Sequence, residues 1–258
     1  MNLDHYNNVV ALNYSGAKIL LRSPGHYKAW LTEDKKDSPA LQMGRLVHLA
    51  ALQPELLAER VAVAPTVDRR TKDGKAAFEA FQAGLKEGQE CVSQDIYDDV
   101  IRISIAAHER LVALGLTDWQ TEMGCVLGMG NNITIKGRPD LIAKDAEGNL
   151  VVVDLKTTQD ASPAAFAKDV ANFKYHLQAA FYMRLTGAKS FVIVAQEKEL
   201  PCANRVYTLD EAALAEGNRL MDEAIALYTQ CVAFDSWPTY TKDITTLSLP
   251  KWAISTNQ

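Results

Sequence analysis

Two strand-like runs, one of spaced apolar and polar residues and one nearly continuously apolar, dominate the middle of the chain. Ile133 to Lys144, ITIKGRPDLIAK, places Ile, Thr and Leu as a half-buried strand does. Leu150 to Lys156 places three consecutive valines before Asp154 and reads as a second strand. Between them Asp145 to Asn149 is rich in residues that tolerate a tight turn, so the pair is expected to form a hairpin. Trp119–Gly128, Ser190–Gln196 and Asn204–Leu209 read as further strands.

Helical periods fill most of the remainder. Ser15 is expected to cap a helix to Leu21, and Ser23-Pro24 to start another carrying Tyr27, Trp30 and Leu31 on one side. Ser38 caps a buried helix through Leu52, with Pro39 at its first position and Leu41, Leu46, Val47, Leu49 and Leu52 along it. Lys75–Lys86 and Ser93–Leu114 follow, the latter with Ile96, Val100, Ile103, Ala107, Leu111 and Leu114 in register and Gly115 as its stop. Pro163 to about Leu185 reads as one long helix stopped by Gly187, and Asp210 caps a last helix to about Cys231. Trp237-Pro238 and the residues to Gln258 read as a terminal wrap. This order implies an α/β fold with a central mixed β-sheet flanked by helices.

Composition narrows the picture. The 258 residues and 48% hydrophobic content suit one domain with a sizeable core. Residues 1–115 form a mainly helical portion, 116–232 an α/β core and 233–258 a tail. The net charge of −5 is not that of a strongly basic nucleic-acid binder. Residues 1–75 carry 11 Lys/Arg against 8 Asp/Glu, which is +3 and leaves −8 for the rest. Cys91, Cys125, Cys202 and Cys231 form no CxxC pair, which argues against zinc or iron–sulfur binding. No basic-then-apolar leader opens the chain and no apolar run approaches a membrane span, so a cytoplasmic, non-membrane protein is expected.

The hairpin carries the chemistry. Alternation puts Asp154 and Lys156 on one face of their strand, and the partner strand brings Asp140 towards them. Two carboxylates offer hard oxygen ligands for Mg2+ or Mn2+, and a lysine beside them can hold or activate water. The plainer reading is a turn aspartate and an edge-strand ion pair. Gly44 and His48 share a helix face, where an isolated histidine reads as a core residue. Gln178 and Tyr182 also lie four apart; a glutamine in an apolar face needs a partner, while the tyrosine reads as core. Glu122 reads as a strand carboxylate. Arg69, Arg70 and Lys72 are the densest basic cluster, either an ordinary exposed loop or a grip on phosphates.

Pro139-Asp140 followed by Asp154-Leu155-Lys156 resembles the PD-(D/E)XK nuclease motif. The longer pattern GRPD…VVDLKTT is similar to RecE-type (exonuclease VIII-like) and RecB-like nucleases. GRLVH over Gly44–His48 resembles the GxxxH helix of that branch, Gln178 and Tyr182 its QxxxY pair, and SPGHY at Ser23–Tyr27 its N-terminal pattern. Together these matches cover roughly Tyr14 to Trp237. The resemblance implies a restriction-endonuclease-like core with an N-terminal helical extension. It makes His48, Asp140, Asp154 and the Leu155 carbonyl metal ligands, Lys156 the residue that handles water, and Glu122 a carboxylate near a second metal. Gln178 and Tyr182 would contact substrate. It further implies a magnesium-dependent exonuclease that degrades double-stranded DNA from the 5′ end and leaves 3′ overhangs for recombination. A ring-shaped homo-oligomer and a RecT-like single-strand annealing partner come with it. An endonuclease or single-strand nuclease of the same superfamily, or a non-catalytic DNA-binding scaffold, remain as alternatives.

Overall fold

Five strands build one sheet, and the helices bury its two faces. The structure, a computed structural model, describes residues 3–34, 37–240 and 243–250. In chain order the helices α1 (Leu3–Asn8), α2 (Tyr14–Leu20), α3 (Pro24–Thr32) and α4 (Pro39–Leu52) come first. A 3-10 turn (Pro54–Leu56), α5 (Leu57–Arg60), β1 (Val61–Val63), α6 (Lys72–Ala83), β2 (Glu90–Val92) and α7 (Gln94–Val112) follow. The strands β3 (Thr117–Thr121), β4 (Cys125–Gly130), β5 (Ile133–Gly137), β6 (Leu141–Lys144) and β7 (Leu150–Thr158) form the centre. The chain closes with α8 (Pro163–Phe173), α9 (Tyr175–Thr186), β8 (Ser190–Glu197), β9 (Asn204–Thr208) and α10 (Glu211–Phe234).

The main sheet has the order β3-β6-β7-β8-β9. Only β7 and β8 run parallel; the other neighbours are antiparallel, so the sheet is mixed as expected. A parallel pair needs a crossover, which α8 and α9 supply. On one face Ile142, Val152 and Ile193 pack with Leu177 and Phe181 of α9 and Met221 of α10. On the other, Leu141, Val153, Leu155 and Val194 pack against Val47 and Ala51 of α4 and Ile103 of α7. Trp237 stacks on Tyr27, with ring centroids 5.6 Å apart, so the segment after α10 does wrap back onto α3.

The approach of α10 to α9 depends on one glycine. A Cβ on Gly217 would lie 2.1 Å from the backbone oxygen of His176, inside any tolerated contact. Gly217→Ala is therefore expected to force these helices apart and cost about 1–3 kcal/mol or more. Urea denaturation reads the loss; a change under about 0.5 kcal/mol, the range of neutral surface substitutions, would contradict the close approach.

Several elements differ from their sequence-based outlines, each for a local reason. The single strand expected over Ile133–Lys144 is two. β5 pairs with β4 in a separate ribbon, while β6 joins the main sheet between β3 and β7. Pro139 lies at the break, where it has no N–H for a ladder. Trp119–Gly128 likewise divides into β3 and β4 at Glu122, whose φ of 54° leaves the β region. The long helix from Pro163 breaks at Lys174, also in the left-handed region with φ 58°. Asn13, not Ser15, caps α2 by accepting the Gly16 N–H. Thr71 caps α6, which begins at Lys72, three residues before the expected Lys75. α1 and the three-residue parallel pair β1–β2 were not anticipated.

Candidate metal centre

Sheet register brings three carboxylates into one row. Thr121 of β3 faces Leu141 of β6, and Leu141 faces Val153 of β7. One step further along both ladders come Glu122, Asp140 and Asp154, beyond the end of β3 and just before β6 begins. The Glu122 N–H donates to the Asp140 carbonyl at 3.0 Å, so the row persists past the regular pairing. The Leu155 N–H donates to Asp140 Oδ2 at 2.8 Å and fixes that carboxylate against β7. Leu155 itself turns its side chain into the core.

Asp154 and Lys156 lie on the α9 side of β7, as alternation requires. Asp154 is 0% exposed. Its Oδ1 accepts a hydrogen bond from Gln178 Nε2 at 2.8 Å, and its Oδ2 lies 2.6 Å from Lys156 Nζ. Gln178 thus has the partner its apolar setting demanded. The Lys156 ammonium also lies 4.8 Å from the centroid of the Tyr175 ring. Tyr182 donates its hydroxyl to the Arg138 carbonyl at 3.2 Å, tying α9 to the loop that presents Asp140. Its ring packs where Gly137 has no side chain; a Cβ there would lie 2.9 Å from Tyr182 Cε1.

His48 reaches the row from the other face of the sheet. α4 packs on that face and projects His48 Nδ1 to within 3.4 Å of Asp140 Oδ2. Gly44, one turn earlier, permits this approach: a Cβ there would come to 3.3 Å from Thr157 Oγ1, at the end of β7. The room that the glycine provides is against β7 rather than beside the imidazole ring. One nitrogen of His48 and one oxygen each from Glu122 and Asp140 lie within 4.8 Å of one another. Such a set of one imidazole and two carboxylates fits a hard or borderline divalent cation.

These three side chains border a cleft of about 560 Å3, together with Arg45, Arg60, Arg138 and Thr157. Asp154, Lys156, Gln178 and Tyr182 are not among the residues that border it. Arg138, part of the Gly-Arg-Pro lead-in but given no role from sequence, holds Glu122 Oε2 at 2.7 Å. Arg45 pairs with Asp37 and Glu90 at the rim.

Burial and charge oppose each other throughout the centre. Burial pushes the Asp154 carboxyl up to about 6, against the pull of Lys156. Glu122 is also raised, by burial and then by the neighbouring Asp140 charge. For Asp140 burial acts in the same direction, but His48, Lys156 and the Leu155 N–H outweigh it and hold the carboxyl below its ordinary value. Burial would discharge His48 and Lys156; the Asp140 carboxylate reverses this for His48, and Asp154 with Asp140 does so for Lys156. Each carboxylate thus faces a cationic group, Glu122 the Arg138 guanidinium, Asp140 the His48 ring and Asp154 the Lys156 ammonium, and a divalent ion held by His48, Glu122 and Asp140 would take the place of the His48 proton.

The basic cluster lies elsewhere. The Arg69 guanidinium sits 3.9 Å from the Phe78 ring centroid, Arg70 pairs with Asp68 at 3.0 Å, and Lys72 opens α6. None of the three borders the cleft.

A family model described as "PDDEXK-like domain of unknown function (DUF3799)" matches residues 13–250. The chain belongs to this PDDEXK-like family. No curated protein matches it. Among solved structures, a "putative exonuclease" from Eubacterium rectale superposes with a TM-score of 0.58 at 17% identity, covering 95% of this chain and 96% of that one. An alkaline exonuclease from Laribacter hongkongensis gives 0.34 at 15% identity, over 71% of this chain and 96% of that one. A phage related exonuclease from Haemophilus somnus gives 0.35 at 12% identity, over 90% and 100%. At such identities likeness speaks to fold, and only the first superposition is close enough to do so. The PDDEXK-like fold agrees with the mixed sheet described above. Among the described residues no helix is long and apolar enough to cross a membrane.

Proposed function

We propose that this PDDEXK-like protein is a divalent-metal-dependent nuclease that hydrolyses phosphodiester bonds of DNA. The observation that carries the reading is the carboxylate row Glu122–Asp140–Asp154, with His48 against its middle member Asp140 and Lys156 against Asp154. His48, Glu122 and Asp140 would hold the cation, with Asp154 and the Leu155 carbonyl completing its surroundings. Mg2+, or Mn2+ in its place, would lower the pKa of water and stabilise charge on the phosphoryl oxygens. Lys156, held cationic by Asp154, orients the attacking water. Gln178 fixes Asp154, and Tyr182 fixes the loop that carries Asp140. Arg45, Arg60 and Arg138 border the cleft, Arg45 paired with Asp37 and Glu90 and Arg138 with Glu122, so that Arg60 is the arginine there without an acidic partner among the described ion pairs.

In its finer form the proposal is a 5′-to-3′ exonuclease on double-stranded DNA that generates 3′ single-stranded ends for recombination. It is supported by the RecE-like pattern around Asp140 and Asp154. The same resemblance extends it to a ring of subunits and a single-strand annealing partner.

Digestion of linear and covalently closed duplexes, with magnesium and with a chelator, tests both levels. The expected result is magnesium-dependent loss of linear DNA alone, with nucleotides released from the 5′ end. Cutting of closed circles would retain the metal centre and refute the exonuclease. No cleavage with magnesium or manganese would refute the nuclease.

A further inference from the structure

Thr157 belongs to two cavities. On one side it borders the cleft of His48 and Asp140; on the other it borders a second cavity of about 490 Å3 towards α8. Phe173 lies in that second cavity at the last position of α8, and it is 48% exposed. The chain turns through the left-handed region at Lys174, immediately after it, and the Tyr14 hydroxyl donates to the Phe173 carbonyl. The turn is therefore pinned with the ring facing outwards. Phe173 stacks on Tyr175, with centroids 5.6 Å apart and planes 22° from parallel, and Tyr175 is the ring beneath Lys156. An exposed aromatic surface thus stands one ring away from the lysine of the metal centre.

The cavity has charge as well as an aromatic wall. Lys168 and Lys198 border it, and so do Asp160 and Asp169. The carboxylates have local partners: Asp160 accepts the Ser162 N–H at 2.7 Å and Asp169 the Thr158 hydroxyl at 3.0 Å. Neither lysine joins an ion pair among the described residues. An anionic group entering the cavity would meet both of these ammonium groups.

We propose that this cavity is a nucleotide subsite, in which Phe173 stacks the base next to the scissile phosphate and Lys168 and Lys198 hold its phosphate. This rests on the nuclease reading and names how its substrate is gripped. The volume lies within the range of about 300–1,000 Å3 usual for ligand sites. A ring accepts any base, since every base has a π-face, so the subsite confers grip without sequence preference. Bases inside a duplex are already stacked on each other. Occupancy therefore requires an unpaired nucleotide at the cleaved end.

The test uses the full chain, with Phe173→Ala and Phe173→Trp, on end-labelled DNA carrying 2-aminopurine or an abasic nucleotide at each of the first three positions. Melting curves establish that each variant is folded. Phe173→Ala is expected to raise KM about tenfold with kcat within about twofold, and Phe173→Trp to restore it. Removing the base at the responsive position should raise the wild-type KM by a similar factor and leave Phe173→Ala unchanged. Equal losses for wild type and Phe173→Ala on abasic DNA would overturn the subsite while sparing the nuclease. If the wild type cleaves nothing, 2-aminopurine fluorescence on binding decides. Quenching by wild type but not Phe173→Ala would retain the subsite and reject the nuclease; no quenching by either would reject the subsite too.

Discussion

Replacing Asp140 with Asn is expected to lower magnesium-dependent DNA hydrolysis about a thousandfold or more, with the fold intact. Asn keeps the volume of the aspartate, and its Oδ1 can still accept the Leu155 N–H, which Asp140 Oδ2 accepts at 2.8 Å. What it loses is the charge shared between His48 and the neighbouring carboxylates. A neutral amide is a poor ligand beside Glu122, and the imidazole loses the anion that faces it. Two effects on stability oppose each other. The Asp140 carboxyl is held below its ordinary value, so its ionised form stabilises the fold above the unfolded-state pKa, and that contribution is lost as pH falls through the folded one. Asn forfeits this contribution at neutral pH. It also removes a negative charge that raises the Asp154 pKa, which relieves strain at that buried carboxylate. The net change is expected within about 1 kcal/mol. Single-turnover digestion of a labelled duplex and a melting curve check the two parts. Activity within tenfold of wild type would remove Asp140 from the metal centre.

Local order made the chemistry readable, and distance in sequence hid the rest. Asp154 and Lys156 were legible because a strand alternates with period two, and Asp140 because a five-residue turn returns the chain beside them. The mixed sheet followed from valine-rich runs separated by helical periods. What alternation could not show is where a strand changes partner. Ile133–Lys144 looks continuous because the pattern survives across Pro139, yet its halves serve two sheets. The break at Glu122 was equally invisible, since a positive φ at a glutamate is imposed by its surroundings. So was the break at Lys174, where nothing in the helical period of Pro163–Leu185 falters. The approach of His48 to Asp140 joins residues 92 apart and needs the packing of α4 on the sheet, so the residues alone favoured a core histidine. Gln178 could be read as needing a polar partner, but only the packed α9 shows that the partner is Asp154. Arg138 stood in the quoted motif; that its guanidinium covers Glu122 depends on the turn at Glu122 itself.

Lys156→Met separates the chemical role of the lysine from its structural one. The substitution keeps an unbranched side chain and removes the ammonium that lies 2.6 Å from Asp154. With the charge that orients water gone, kcat is expected to fall roughly 10²–10⁴-fold, while KM stays within about threefold. The structural consequence depends on pH. Burial already pushes Asp154 up to about 6, and Lys156 is the strongest influence opposing that rise. Without the lysine the folded-state pKa climbs further. A folded pKa above the unfolded value means that the native state binds the extra proton, so stability falls as pH rises between the two. In the wild type that window ends near 6; in the variant it extends into the neutral range. The raised pKa of Lys156 itself adds no slope here, because the lysine is protonated in both states well below its unfolded value. Urea denaturation of the chelated proteins at pH 5 and pH 8 should therefore show a gap between variant and wild type that widens at pH 8. There it should approach the roughly 3–5 kcal/mol typical of a buried charge stripped of its partner. A gap of equal size at both pH values would mean that Lys156 is not what keeps Asp154 ionised. The low kcat would then have to be traced to altered packing around β7 rather than to the missing ammonium.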